Sequence, residues 1–405
     1  MKPSILLLVA ASLLPAGAFA QSGDEPIPPT LEEAAALAAA LAADAAQPAP
    51  AAEQLPSGGD AGVKLDQAFI LDVSAAAFDG QRTEGGGHDP AGNGFTLQAL
   101  EWSVGSNIDP FFRIDANIVF TLEGLEVEEG YATTTALPGG LQARAGQFLS
   151  RFGRANPTHP HAWSFADTPI AVTKMLGEDG SRGLGAELSW LAPTPWYAMA
   201  SLSWQTPSDG CCNRAFATVD GPINDASDLY ATGRLEQFFE LTSDLGLNWG
   251  LSAQTGNAAP AAEKTASAGQ TTIVGSDLYL RFKPSDSTLR RATALTAEFM
   301  HRSRALPGRT LEDDAAYAQF VQVLSPAWEA GARYEWASGN ESDPLDLDWN
   351  GDRTRASLQA TYYPSHFSRL RLQLLADKLP WQTDTTLGGL LALEVIAGAH
   401  GAHAY

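Results

Sequence analysis

Residues 328–336 read WEAGARYEW. Trp328, Ala330, Ala332, Tyr334 and Trp336 share one parity, and Glu329, Gly331, Arg333 and Glu335 share the other. Neighbouring side chains of an extended strand point to opposite faces. A period of two therefore makes a strand with one apolar and one polar face. The segment has the length of a tilted strand that crosses a bilayer, ~10 residues. Its tryptophans stand at the two ends of the apolar face, where membrane interfaces hold aromatic rings.

The same alternation runs outward in both directions. Trp196, Ala198, Ala200, Leu202 and Trp204 alternate with Tyr197, Met199, Ser201 and Ser203. Leu245, Leu247, Trp249, Leu251 and Ala253 alternate with Gly246, Asn248, Gly250, Ser252 and Gln254. Leu184 to Trp190 and Leu370 to Ala376 repeat it. Candidate strands fall at 68–77, 95–105, 111–122, 127–136, 141–148, 181–191, 196–205, 228–236, 244–255, 272–282, 292–302, 315–324, 328–336, 353–363, 368–377 and 388–399. A soluble β-sandwich is the competing reading. Strand length, end-placed aromatics, and short turns (Asp109-Pro110, Pro138-Gly139-Gly140, Ala192-Pro193) alternating with long loops favour an all-β fold. That fold is a transmembrane antiparallel β-barrel of about 16 strands. The last strand, through Leu391, Leu393, Val395, Ala397 and Ala399, leads to the aromatic Tyr405. Such an ending is typical of proteins inserted by the outer-membrane assembly machinery.

The chain has 405 residues, a net charge of −22 and two cysteines. An acidic balance gives no support to nucleic-acid binding, and two cysteines make no disulfide framework. In a barrel half of each strand faces water, so an ordinary average hydrophobicity is compatible with a membrane protein. Residues 1–20 read as a secretory signal: Lys2, the apolar stretch Ile5 to Leu14, then Ala18-Phe19-Ala20 as a small-x-small cleavage site. Export and a barrel together predict the outer membrane of a Gram-negative cell, in contact with its lipids and lipopolysaccharide. Residues 21–62 read as an Ala/Pro-rich periplasmic leader and linker. A helical spacing over Leu31 to Ala46 follows a Thr30/Glu33 capping box, and a flexible spacer comes after it. Residues 63–405 make the barrel.

Several segments resemble a known family. LQARAGQFLSRFG (Leu141 to Gly153) and RGLGAELSW (Arg182 to Trp190) resemble phosphate-selective-type porins around their long inward loop. NIDPFF (Asn107 to Phe112), NPTHPHAWSFAD (Asn156 to Asp167), YPSHFSRLRLQ (Tyr363 to Gln373) and GAHGAHAY (Gly398 to Tyr405) resemble a related group of porin-like proteins, some labelled zinc-regulated outer-membrane receptors. The resemblance implies a porin, trimeric, passing small solutes by passive diffusion, with residues 148–180 as a constriction loop folded into the lumen.

Site candidates follow. Arg113, Arg144, Arg333, Arg355 and Arg371 lie on the inward parity of their strands, and Arg151, Arg154, His159, His161, Asp167 and Lys174 on the loop. Inward arginines select anions and hold phosphate or carboxylate bidentately. The competing reading pairs them with the inward acids Asp115, Glu128, Glu187 and Glu335, which stiffens the wall. His159 with His161, and His400 with His403, place imidazoles close enough to suggest zinc. Asp346, Asp348, Asn350 and Asp352 match the front half of a calcium loop, with Ser357 where the closing Glu belongs. Cys211-Cys212 suggests a vicinal disulfide. No nucleophile elbow, zinc-protease or phosphate-loop motif stands in the chain, so an enzyme is not expected. The alternative function is a metal-associated receptor or envelope-tethering barrel.

Overall fold

The computed structural model describes residues 64–398, apart from 81–84, 91, 123, 208–211, 217–225, 259–268, 285–290, 307, 342, 344–345 and 347–348. The expected signal (1–20), the expected leader and linker (21–62) with its helix, and residues 399–405 with His400, His403 and Tyr405 lie outside the described residues.

Sixteen antiparallel strands close into a barrel: β1 (Asp66–Phe78), β2 (Gly94–Asn107), β3 (Phe112–Phe120), β4 (Leu125–Thr134), β5 (Leu141–Leu149), β6 (Arg182–Leu191), β7 (Tyr197–Gln205), β8 (Tyr230–Thr242), β9 (Leu245–Asn257), β10 (Gln270–Phe282), β11 (Ala292–Leu306), β12 (Arg309–Ser325), β13 (Trp328–Ala337), β14 (Arg353–Ser365), β15 (Ser368–Lys378) and β16 (Thr386–Gly398). Each pairs with its sequence neighbours, and β1 pairs with β16 in a register that sets Ile70 opposite Ile396. No strand is left with a free edge, which is how a sheet satisfies its backbone in lipid. Among the described residues no helix is long and apolar enough to cross a membrane.

Burial is inverted relative to a water-soluble protein. On β15, Leu370, Leu372 and Leu374 are exposed, while Arg369, Arg371, Gln373 and Asp377 are buried. On β14, Leu358 is 61% exposed, while Arg353, Arg355, Ser357 and Gln359 are buried. Trp328 and Tyr334 on β13 face outward, and Arg333 and Glu335 face inward. Apolar side chains thus point out and polar ones in, the sense that a hydrocarbon surround selects.

The connections sort by end. Asp109-Pro110, Pro138-Gly139-Gly140 and Ala192-Pro193 fall in short turns at one end of the barrel, as expected. At the other end lie the long segments 79–93, 150–181, 206–229 and 338–352, together with the short turns 121–124 and 307–308. Every expected strand is present, with shifted bounds. The largest shifts are six residues, in β12, which begins at Arg309 rather than at 315, and in β8, which ends at Thr242 rather than at 236.

Candidate functional site

Residues 150–181 run inside the barrel, and the sequence explains how they are held. At the neck the Ser150 amide donates to Ser181 O at 2.8 Å. The Asn156 amide nitrogen donates to Ser150 O at 2.8 Å and Ser181 O at 3.0 Å, and its oxygen accepts from the Ser181 amide at 2.7 Å. Gly180 lets this neck close: its φ is +74°, and a Cβ there would stand 2.3 Å from Asn156 Oδ1. A helix of six residues, α1 (Ile170–Met175), begins after Pro169. So short a helix is unstable alone. Here Ile170, Ala171, Val172 and Met175 pack with Phe152, Phe216, Tyr230, Ile273, Met300 and Trp349. Each large apolar side chain so buried contributes roughly 1.5–3 kcal/mol.

Polar anchors fix the segment to several walls. The amides of Arg154 and Ala155 donate to Glu298 Oε1 on β11 at 2.9 and 2.6 Å. Arg371 on β15 donates to Trp163 O and Phe165 O, each at 2.9 Å, and Gln373 accepts from the Ala166 amide at 2.8 Å. Asp167 lies between Arg333 and Arg355, whose Nη1 is 3.2 Å from Oδ2. Arg355 also donates to Thr168 O at 2.7 Å. On the opposite wall His159 Nε2 is 2.9 Å from Glu129 Oε2, and His161 Nδ1 is 2.9 Å from Glu101 Oε2. Burial works against a charge on His159. Glu101, Glu128 and Glu129 outweigh it and hold the imidazole well above the ordinary histidine range.

Most of the expected pore-lining cations are therefore ion-paired. Arg113 pairs with Asp115, Arg144 and Arg151 with Glu187, Arg333 and Arg355 with Asp167 and Glu335, and Arg371 with Asp72 and Glu394. Lys174 is not in the open lumen: it is buried on α1, 2.9 Å from Asp346. Burial pulls its ammonium below the ordinary lysine range despite Asp346 and Asp313. Arg154 differs. Among the described residues it has no carboxylate within ion-pair distance, and its guanidinium lies 3.9 Å from the centre of the Tyr279 ring.

An open cavity of about 1280 Å³ remains beside the inward segment. Of the expected residues, Arg144, Arg151, Arg154, His161 and Arg333 line it; Arg113, His159, Asp167, Lys174, Arg355 and Arg371 do not. Arg234, Arg281 and Arg369 also line it, and sequence reading passed them over. Their parity was the available signal: Arg281 shares the inward side of β10 with Asp277 and Tyr279. Seven arginines and four glutamates line the cavity. Arg144, Arg151, Arg234, Arg333 and Arg369 are paired with Glu187, Asp277, Asp167, Glu335 and Glu394, whereas Arg154 and Arg281 have no carboxylate partner among the described residues.

The calcium reading of Asp346, Asp348, Asn350 and Asp352 needs correction. Asp346 is buried against Lys174, Arg302 (3.1 Å) and Arg214, which hold its carboxyl below the usual range although burial opposes them. Asp352 accepts from Trp336 Nε1 at 3.1 Å. Asn350 is exposed, and Asp348 lies outside the described residues. An acid surrounded by three cations has no charge left for a calcium ion. Cys212 is disulfide-bonded, and the chain's other cysteine, Cys211, lies outside the described residues.

No family model matches the chain. An uncharacterized protein of Aquifex aeolicus (strain VF5) is 30% identical over 338 residues, which cover 77% of this chain and 70% of that one. The solved outer membrane channel DcaP of Acinetobacter baumannii superposes with a TM-score of 0.55 at 12% identity, over 84% of this chain and 99% of that chain. The anion-selective porin from Comamonas acidovorans gives 0.54 at 11% identity, over 83% of this chain and all of that one. At these identities the likeness to the two solved structures is one of fold.

Proposed function

We propose that this chain, which belongs to the family of the uncharacterized Aquifex aeolicus protein, is an outer-membrane porin through which small solutes diffuse passively, with a bias toward anions. The observation that carries this reading is that Arg154 and Arg281 line the open cavity with no carboxylate partner among the described residues. A fixed positive field in a narrow, partly desolvated passage lowers the energy of anions and raises that of cations. Residues 150–181 act as the constriction: anchored to several walls, they narrow the lumen to the side where Arg151, Arg154 and Arg281 stand. The sharing of a fold with channels, one of them described as anion-selective, supports the same reading. In this proposal the barrel resides in the outer membrane, with its apolar outer face against lipid.

The test is single-channel recording in a planar bilayer under a salt gradient. Discrete conductance steps and a reversal potential of the sign expected for anions are the anticipated result. Absence of any step from folded protein would overturn the channel reading. A cation-signed reversal potential would overturn the bias alone.

A further inference from the structure

Three potential ligands from three elements meet behind the inward segment. Glu101 stands on β2, Glu128 on β4 and His159 in the loop, and one ligand atom of each lies within 4.8 Å of the others. All three are buried, at 4%, 7% and 6% exposure. Glu101 Oε1 and His159 Nδ1 have no hydrogen-bond partner, although buried polar atoms normally have one. His159 Nδ1 is 3.3 Å from Glu128 Oε2, without hydrogen-bond geometry.

Their outer partners orient them. His159 Nε2 lies 2.9 Å from Glu129 Oε2 and 3.0 Å from Asn117 Nδ2, which hold the ring in place. Nδ1 faces Glu128 Oε2, and a metal bound there takes the place of the imidazolium's Nδ1 proton. His161 Nδ1 engages Glu101 Oε2 at 2.9 Å and leaves Oε1 free. Carboxylate–imidazole pairs of this kind hold metal ligands in place. A cavity of about 60 Å³ lined by Glu101, Glu128, His159 and His161 adjoins the three atoms, with room for a water as a fourth ligand.

We propose that His159, Glu101 and Glu128 bind one divalent metal ion of the zinc class, clamping the inward segment to the β2–β4 wall. A tetrahedral zinc ion, with bonds of about 2.0–2.2 Å, spaces its ligands by ~3.3–3.6 Å, so the cluster closes on it by a contraction of at most about 1.5 Å. An imidazole nitrogen beside two carboxylates suits zinc better than calcium or magnesium, which take oxygen. His88 at 3.7 Å and Arg182 at 3.9 Å approach Glu128 at Oε1, leaving Oε2 toward His159, and a dication offsets the charge of the carboxylates that converge there. The other buried acidic group, Asp313, Asp343 and Asp346, is already met by Lys174, Arg302, Arg304 and Arg214, and offers a metal nothing.

The experiment uses full-length protein folded in detergent, stripped with chelator, dialysed against Zn²⁺ and analysed for metal content. Channel activity is not the readout, so this test fails or succeeds independently of the porin proposal. The expected result is one zinc per chain, abolished in the Glu101→Gln/Glu128→Gln variant, weakened about tenfold in Glu129→Gln and unchanged in His400→Gln/His403→Gln and in His301→Gln, whose imidazole on β11 pairs with Asp314 at 2.8 Å. The Gln variants keep shape and hydrogen bonding, and mobility on unheated gels reports folding. If the double variant fails to fold, Co²⁺ absorption of the unaltered protein decides. Ligand-field bands displaced by Zn²⁺ support the site, and the spectrum of aqueous Co²⁺ overturns it. Zinc absent from the unaltered protein, retained by the Glu101→Gln/Glu128→Gln variant, or lost on changing His400 and His403 also overturns it.

Discussion

Lys174 of α1 and Asp346 of the segment after β13 meet at 2.9 Å, both fully withdrawn from solvent, and so tie two loops from different strands into one body. Removing one member of a buried ion pair leaves the rest uncompensated and costs ~3–5 kcal/mol. Asp346→Asn leaves Lys174, Arg302 and Arg214 facing less negative charge. It is expected to lower the urea midpoint for barrel unfolding by a corresponding amount.

The same carboxyl sets a pH expectation. Its folded-state pKa lies below the ordinary aspartate value of about 4. A depressed acid contributes stability that is fully present above the unfolded pKa and is lost as pH falls through the folded one. The loop tether therefore persists down to about pH 4 and weakens only in stronger acid. Melting curves of wild type and Asp346→Asn at descending pH are expected to converge there; parallel curves over the whole range contradict the tether.

Arg154 and Arg281 have no carboxylate partner among the described residues, whereas Arg151 shares Glu187 with Arg144. Arg154→Ala and Arg281→Ala are each expected to move the reversal potential toward the cation side. Glu187→Gln is expected to move it the other way, because it frees two guanidinium groups from one acid. An unchanged potential in all three variants removes these groups from the conduction path.

At the neck, Gly180→Ala forces a side chain toward Asn156 Oδ1 at a backbone angle that alanine resists. Such strain costs ~1–3 kcal/mol. Asn156→Ala leaves buried backbone groups unpaired at a similar cost, ~1–3 kcal/mol. Both variants are expected to make residues 150–181 more sensitive to protease than the barrel, with larger and noisier conductance steps.

On the outer face, Leu372 sits midway along β15 and is 49% exposed. Leu372→Arg places a charge in hydrocarbon and is expected to cost ~2–4 kcal/mol of folding free energy in lipid vesicles. Gln373→Arg, one residue on, faces inward, and its effect is expected to vary with its polar neighbours rather than with lipid.

The strands were legible because lipid on one side and water on the other write a period of two into the sequence. Where that contrast ends, so does the signal. Residues Arg309 to Asp314 begin β12, yet they read RTLEDD, polar on both faces. Asp313 there is matched to Arg302 across the register rather than to any local pattern. The inward segment was legible as a long Pro- and His-bearing loop, but not its partners. Asp167 meets Arg333 and Gln373 across more than 160 residues, and His161 meets Glu101 across 60. No periodicity records such pairings, so the arginines that read as a field for solutes proved largely to be fasteners for the chain itself.

The pairing of β1 with β16 is the seam of the barrel. Ala68 lies opposite Gly398, so the last ladder to zip joins residues some 330 positions apart. Loop-closure entropy grows only slowly with length, yet this contact cannot begin to form until nearly the whole chain has been made. Until then two ribbon edges stand open together, each a template for a foreign strand. The seam is therefore where assembly is committed, and where an unfinished barrel is most open to misjoining with another copy.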